Sequence, residues 1–254
     1  MMISPLTLTA QEEPVTDHQH EREELGVNAY TAPSIARILA ELDALKPLPF
    51  DRLKRDFPPA ASGSREQKGL IFGGLIADGF LIVETERKNR IEDLGRVLMR
   101  EARGLGVAER VLRHSASLTE LGHRGNWTGM RDELIATQTD VEQAMVELRD
   151  EKLAQLISLG GWLRGLEISS GAVELNYSRD RAKLLIQPDL VEYFTAELKT
   201  LPPDLIHVPF FEKIRAGVEA IANVLKKGDQ LTLADVKTIH ARARELNTLV
   251  RLAE

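Results

Sequence analysis

At 254 residues the chain is long enough to bury a full hydrophobic core, as one large domain or two small ones. Its net charge of −6 is spread along the chain with no basic block beyond Arg87-Lys88-Asn89-Arg90, which argues against nucleic-acid binding by phosphate neutralisation and against a basic membrane-surface helix. The lack of cysteine excludes disulfides, thiolate metal sites and cysteine nucleophiles, and charged positions rich in Glu, Lys and Arg suit helices.

Met1–Ala10 is apolar and uncharged, ends in a small residue and is followed at once by polar Gln11-Glu12-Glu13-Pro14. This has the form of a secretory h-region and its cleavage site, without the basic n-region. It predicts a periplasmic or secreted protein, with the cytoplasm as the alternative. Residues 1–30 read as a signal remnant and a polar, disordered arm. Residues 31–254 read as one helical domain, with a sub-boundary near 200–208.

Thr31 caps the first helix, with Pro33 in its first turn and Ile35, Ile38, Leu39 and Leu42 on one face; Lys46-Pro47-Leu48-Pro49 ends it. After a loop at 57–63, Ser64 and Gln67 form a capping-box pattern at the head of an apolar helix containing Gly73-Gly74, Asp78 and Gly79. The next helix runs from Asn89 to Arg103 and stops at Gly104-Leu105-Gly106. Another occupies Val107–Leu121 and ends at Gly122.

Met130, Leu134, Thr137, Val141, Ala144 and Leu148 then repeat at spacings of four and three, an amphipathic helix. It either runs straight into a second glycine stretch or bends near Arg149-Asp150. That second stretch, Leu156–Leu166, carries Gly160-Gly161-Trp162, Arg164 and Gly165, and Ser169-Ser170-Gly171 is expected to interrupt it. Ser178 restarts a short helix, and Pro188 opens one through Leu198. Leu201-Pro202-Pro203 sets off the last two, at about 209–227 and 232–253, whose short connection at 226–230 implies an antiparallel hairpin.

No segment alternates polar and apolar residues for long, so the fold class is all-α, an irregular bundle of about eight to ten helices around closely packed glycine-rich central ones. The two glycine helices also admit a reading as halves of a duplication, although their separation fits no helical-repeat period. The longest uncharged apolar run, Gly69–Ala77, is too short to span a bilayer, so no integral membrane segment is expected.

Each glycine costs a helix roughly 1 kcal/mol relative to alanine. Several in one apolar stretch therefore suggest that something approaches the backbone closely. Asp78 and Arg164 stand alone among apolar neighbours, where a charge must be paired. They are expected to meet as an internal salt bridge that fixes helix register; the alternative is an acid and an arginine lining a cavity for a polar ligand. In that alternative the ligand-binding residues are Asp78, Trp162, Arg164 and Tyr177. Trp162 is more simply a core or pocket wall, and Glu167 and Asn176 could extend the cluster with Tyr177.

The histidines give no metal set. His18 and His20 lie in the polar arm, His114 and His123 match no ligand spacing, and His240 reads as a satisfied core or boundary residue. Asp140, Glu147 and Asp150 fall on a polar helix face. Nucleophile-elbow, phosphate-loop and dinucleotide signatures are absent, and no cofactor is expected.

Gly73 followed by Ala77-Asp78, and the later Gly160-Gly161-Trp162, resemble a group of uncharacterised exported bacterial all-α proteins over roughly Ser64–Leu175. Arg164 and Gly165 depart from that pattern, which favours an acidic or small residue there. The resemblance implies export and helical architecture, and it transfers no activity. The sequence thus predicts a non-enzymatic, exported helical-bundle protein that binds a partner or belongs to the envelope. The alternative is a small-molecule binder or enzyme centred on Asp78, Trp162 and Arg164.

Overall fold

Glycine placement and side-chain capping set several helix boundaries in the computed structural model, which describes residues 35–58 and 63–252. The Met1–Ala10 start, the arm to residue 30 and the Thr31 cap lie outside the described residues. The described chain is all-α and contains no strand.

In chain order the helices are α1 (Ile35–Ala44), α2 (Phe50–Leu53), α3 (Arg65–Glu84), α4 (Ile91–Leu105), α5 (Ala108–Arg124) and α6 (Trp127–Glu147). They continue as α7 (Glu151–Leu175), α8 (Arg179–Lys183), α9 (Pro188–Lys199), α10 (Pro203–Ile206), α11 (Pro209–Leu225) and α12 (Leu233–Leu252). Short 3₁₀ turns at Lys88–Arg90 and Gly228–Gln230 lead into α4 and α12.

The two glycine helices, α3 and α7, form the axis of the molecule and pack on each other more extensively than any other pair. Both are apolar around most of their circumference because they are enclosed by other helices. On one side α4, α5 and α6 pack in sequence and return to α3 and α7; on the other, α12 lies along α7 and is backed by α11 and then α9. α1 and α2 cross the α7 surface, with Ile38 seated on Gly165.

The close approach rests on two glycines. A Cβ on Gly73 would lie 1.7 Å from the Ile157 carbonyl oxygen, and one on Gly160 would lie 2.0 Å from that of Leu70. Backbone meets backbone at this crossing, so no side chain fits.

Ser64, Asn126, Asp150 and Ser178 each accept a hydrogen bond from a backbone N–H three residues ahead, opening α3, α6, α7 and α8. The Gln67 side chain, expected to complete a capping box, donates its amide to the Val250 carbonyl and ties α3 to α12.

Two expected boundaries are corrected and one open alternative is resolved. α5 passes through Gly122 to Arg124, because the Ile91 side chain packs over that glycine, and Gly125 (φ 66°) takes the left-handed cap. α7 runs unbroken through Ser169-Ser170-Gly171, because both serine hydroxyls donate back to the Leu166 carbonyl and Gly171 makes room for Leu53 and His240. Of the two alternatives at Arg149-Asp150 the chain takes the bend: Arg149 adopts φ 58° and Asp150 caps the new helix.

Candidate functional site

Asp78 on α3 and Arg164 on α7 meet one turn beyond the glycine crossing. Arg164 Nε donates to Asp78 Oδ1 at 2.7 Å. The second carboxylate oxygen, Oδ2, accepts from Arg55 Nε at 2.8 Å. Arg55 belongs to the extended segment after α2, and Gly74 lets it in: a Cβ there would stand 2.9 Å from Arg55 Nη2. The adjacent glycines thus do different jobs. Gly73 admits a helix backbone and Gly74 a guanidinium.

The remaining donors are satisfied locally. Arg164 Nη2 donates to the Leu53 carbonyl at 2.7 Å, which pins the end of α2 to α7. Arg55 Nη1 donates to Asn247 Oδ1, and the Asn247 amide donates to the Leu163 and Ala243 carbonyls. Glu167 Oε2 lies 2.9 Å from Arg164 Nη1 but off the N–H direction, an ion contact without a hydrogen bond.

Asp78 and Arg164 are almost completely buried, at 5% and 1% exposure. Burial pushes the Asp78 carboxyl upward, but the Arg164 and Arg55 guanidiniums outweigh it and hold the group below its ordinary value. Burial likewise opposes the charge on Arg164, and Asp78 and Glu167 more than restore it. Two arginines and two carboxylates therefore balance in the interior.

This cluster backs onto a cavity of about 330 Å³ between the 52–56 segment, α7 and α12. Arg164 and Arg55 form its inner wall with Glu167 and Asn247, while Asp78 sits behind them. Arg52, Lys54, Arg244 and Arg251 complete a lining of six cations against two carboxylates, Asp56 and Glu167. Among the described residues Arg52, Arg244 and Arg251 have no acidic partner, and the Arg251 Nε is buried without a hydrogen bond. Such a lining can take a dianion through several charge-assisted hydrogen bonds.

Of the residues singled out from sequence, the structure brings together Asp78, Arg164 and Glu167. Trp162 faces the other way, since two residues along a helix turn it by about 200°. Its ring packs on Phe194 at 5.1 Å and its Nε1 donates to Gln187 Oε1. Tyr177 lies beyond the end of α7 and donates its hydroxyl to the Leu231 carbonyl. Neither touches the Asp78 cluster: one is core and the other a clasp on the turn before α12.

Arg55 and the α12 cations escaped the sequence reading. Arg55 sits in a stretch of mixed charge, where nothing marks one arginine as internal. Lys237, Arg244 and Arg251, however, recur every seven residues on one face of α12. That spacing was a readable signal.

Two of the described histidines are held by carboxylates. His240 Nδ1 lies 2.6 Å from Glu174 Oε2, at the edge of the cavity. His114 bridges Glu133 and Asp140 on the α5–α6 surface. No group of metal-ligating residues occurs among the described residues.

A further buried acid, Glu142 on α6, accepts from Gln138 Nε2 and Ser158 Oγ through the same oxygen. Burial pushes its carboxyl up to about 7, although both hydrogen bonds act the other way. Comparison of the chain with protein-family models, with curated proteins and with solved structures finds no match.

Proposed function

We propose that the protein binds a small organic anion in the arginine-lined cavity between the 52–56 segment, α7 and α12. One observation carries the reading: six cations converge on a concave site in a chain whose net charge is −6, and three of them have no acidic partner among the described residues. A cation needed only for solubility has no reason to share a cavity with five others, because like charges repel. The Asp78 cluster supports the site by fixing Arg55 and Arg164 in its wall.

This convergence moves the small-molecule alternative ahead of the partner-binding one and shifts its centre. Arg164 stays, Arg55, Arg244 and Arg251 join it, and Trp162 and Tyr177 drop out. Export rests on the Met1–Ala10 stretch and on the resemblance to exported helical proteins, and sequencing the amino terminus of the protein recovered from its native host tests it. No helix of the described residues is long and apolar enough to cross a membrane.

Isothermal titration of the full chain with inorganic phosphate tests the binding reading. Saturable binding at one site per chain is expected, weakened about tenfold or more by Arg251→Ala. Heats indistinguishable from dilution sink it.

A further inference from the structure

The cavity beside Arg164 continues outward. It shares Arg52, Leu53, His240, Arg244 and Thr248 with a second, more open cavity of about 760 Å³. The two make one cleft whose character changes along its length. Cations dominate the inner end, six against two acids, whereas the outer end sets Glu174 and Glu245 against Lys237 and the shared Arg52 and Arg244 over a floor of Leu53, Gly171 and Leu175. α12 forms one side throughout. From Arg251 at the inner end to Lys237 at the outer is fourteen residues, an axial rise of about 21 Å.

His240 stands at the junction. Glu174 holds its Nδ1, which fixes the ring. Its Nε2 has no partner among the described residues and lies over Gly171, where a Cβ would come within 3.2 Å of it. A glycine at this point of α7 keeps a polar ring nitrogen accessible midway along the cleft.

Resting on the anion-binding reading above, we infer that the ligand is a phosphomonoester of a polar organic body, bound with its phosphate at the inner end and its body in the outer cavity beside His240. A terminal phosphate offers three oxygens and close to two charges, which matches several convergent guanidiniums; a single carboxylate is satisfied by one bidentate arginine. Inorganic phosphate fills the inner end alone. The outer cavity has the size of a small-molecule site, and its lining offsets three cations with two acids and adds an imidazole and apolar groups, which suits hydroxyl or amino groups more than a second anion.

The test is calorimetric titration of the full chain with inorganic phosphate, glucose 6-phosphate, adenosine 5′-monophosphate and glucose. At least one ester is expected to bind tenfold or more tightly than phosphate, and glucose not at all. Ala241→Trp, on the exposed α12 surface of the outer cavity, is expected to abolish the ester's advantage while leaving phosphate binding unchanged. His240→Gln should reduce that advantage several-fold. If phosphate binds but neither ester binds more tightly, or if both Ala241→Trp and His240→Gln leave the ester affinity intact, the two-part ligand is wrong and the anion site survives. If neither phosphate nor ester binds, the anion reading itself fails, and this inference with it.

Discussion

Asp78 is the residue on which the interior charges depend. Its two oxygens serve two arginines from different parts of the chain, so its removal leaves two buried guanidiniums facing each other. Breaking a buried pair by deleting one partner costs about 3–5 kcal/mol. Asp78→Ala is therefore expected to lose at least that much in urea denaturation, and a change below about 1 kcal/mol would show that the cluster is not structural. The pH dependence follows from direction. Asp78 titrates below its unfolded value, so its stabilisation is present above the ordinary carboxylate range and is lost as pH falls through its folded pKa.

Glu142 has the opposite sign. Its folded pKa of about 7 lies above the ordinary 4.5, so the native state holds the proton more tightly than the unfolded chain. Stability then falls as pH rises from about 4.5 to 7 and levels off above, a penalty of about 3 kcal/mol at most. Glu142→Gln should stabilise the protein by up to that amount at pH 8 and leave it unchanged near pH 4. Equal urea midpoints for the two proteins at pH 8 would show that Glu142 ionises without cost. This acid was invisible in the sequence because it follows Val141 in an amphipathic repeat, where a glutamate reads as the solvated face.

At the scale of the element, the glycine crossing converts sequence into architecture, and its glycines are not equivalent. A methyl group on Gly73 or Gly160 collides with a backbone carbonyl that belongs to a fully enclosed helix, so the helices must separate along their length. Overpacking of a well-packed core typically costs 1–3 kcal/mol, and rigid backbone on both sides places these two sites at or above about 3 kcal/mol. On Gly74 the same methyl meets only the far end of Arg55, which needs to give by a few tenths of an ångström and can keep its Asp78 contact, and alanine recovers about 1 kcal/mol of helix propensity. Thermal unfolding should therefore rank Gly73→Ala and Gly160→Ala far below wild type and Gly74→Ala near it. Similar melting temperatures for all three would remove the crossing as the organising contact.

The contact between these helices was legible because glycine has few other reasons to occur in an apolar helix. The continuity of α7 was not, because Ser-Ser-Gly breaks a helix in isolation and is tolerated here only where the hydroxyls bond back to Leu166 and Gly171 lies under His240. Thr232 and Asp235 show the converse, a capping pattern that the sequence carries openly. They form a reciprocal cap at the head of α12, and Asp235, held by Lys227 and by the Thr232 backbone and hydroxyl, titrates down at about 2.

For the whole molecule the informative quantity is the distribution of charge rather than its sum. The −6 total disguises a cleft with a cationic surplus, assembled from α2 and its following segment, α7 and α12, which lie far apart in sequence. Composition cannot reveal such a surplus; only the fold brings Arg52, Arg164 and Arg251 to one wall. The cleft holds like charges in proximity, which should destabilise the fold modestly. A specific anion relieves this by binding, whereas salt relieves it by screening. Melting temperature in phosphate, compared with chloride at equal ionic strength, separates the two. If phosphate binds with a Kd of about 1 mM, 10 mM stabilises the fold by about 1.4 kcal/mol beyond chloride. The double variant Arg244→Gln/Arg251→Gln should lose that increment while melting no lower than wild type in chloride, because it removes repulsion and breaks no ion pair among the described residues. Equal responses of wild type to phosphate and chloride would mean that the arginines are screened rather than occupied, and the cleft would then be a feature of charge placement without a ligand.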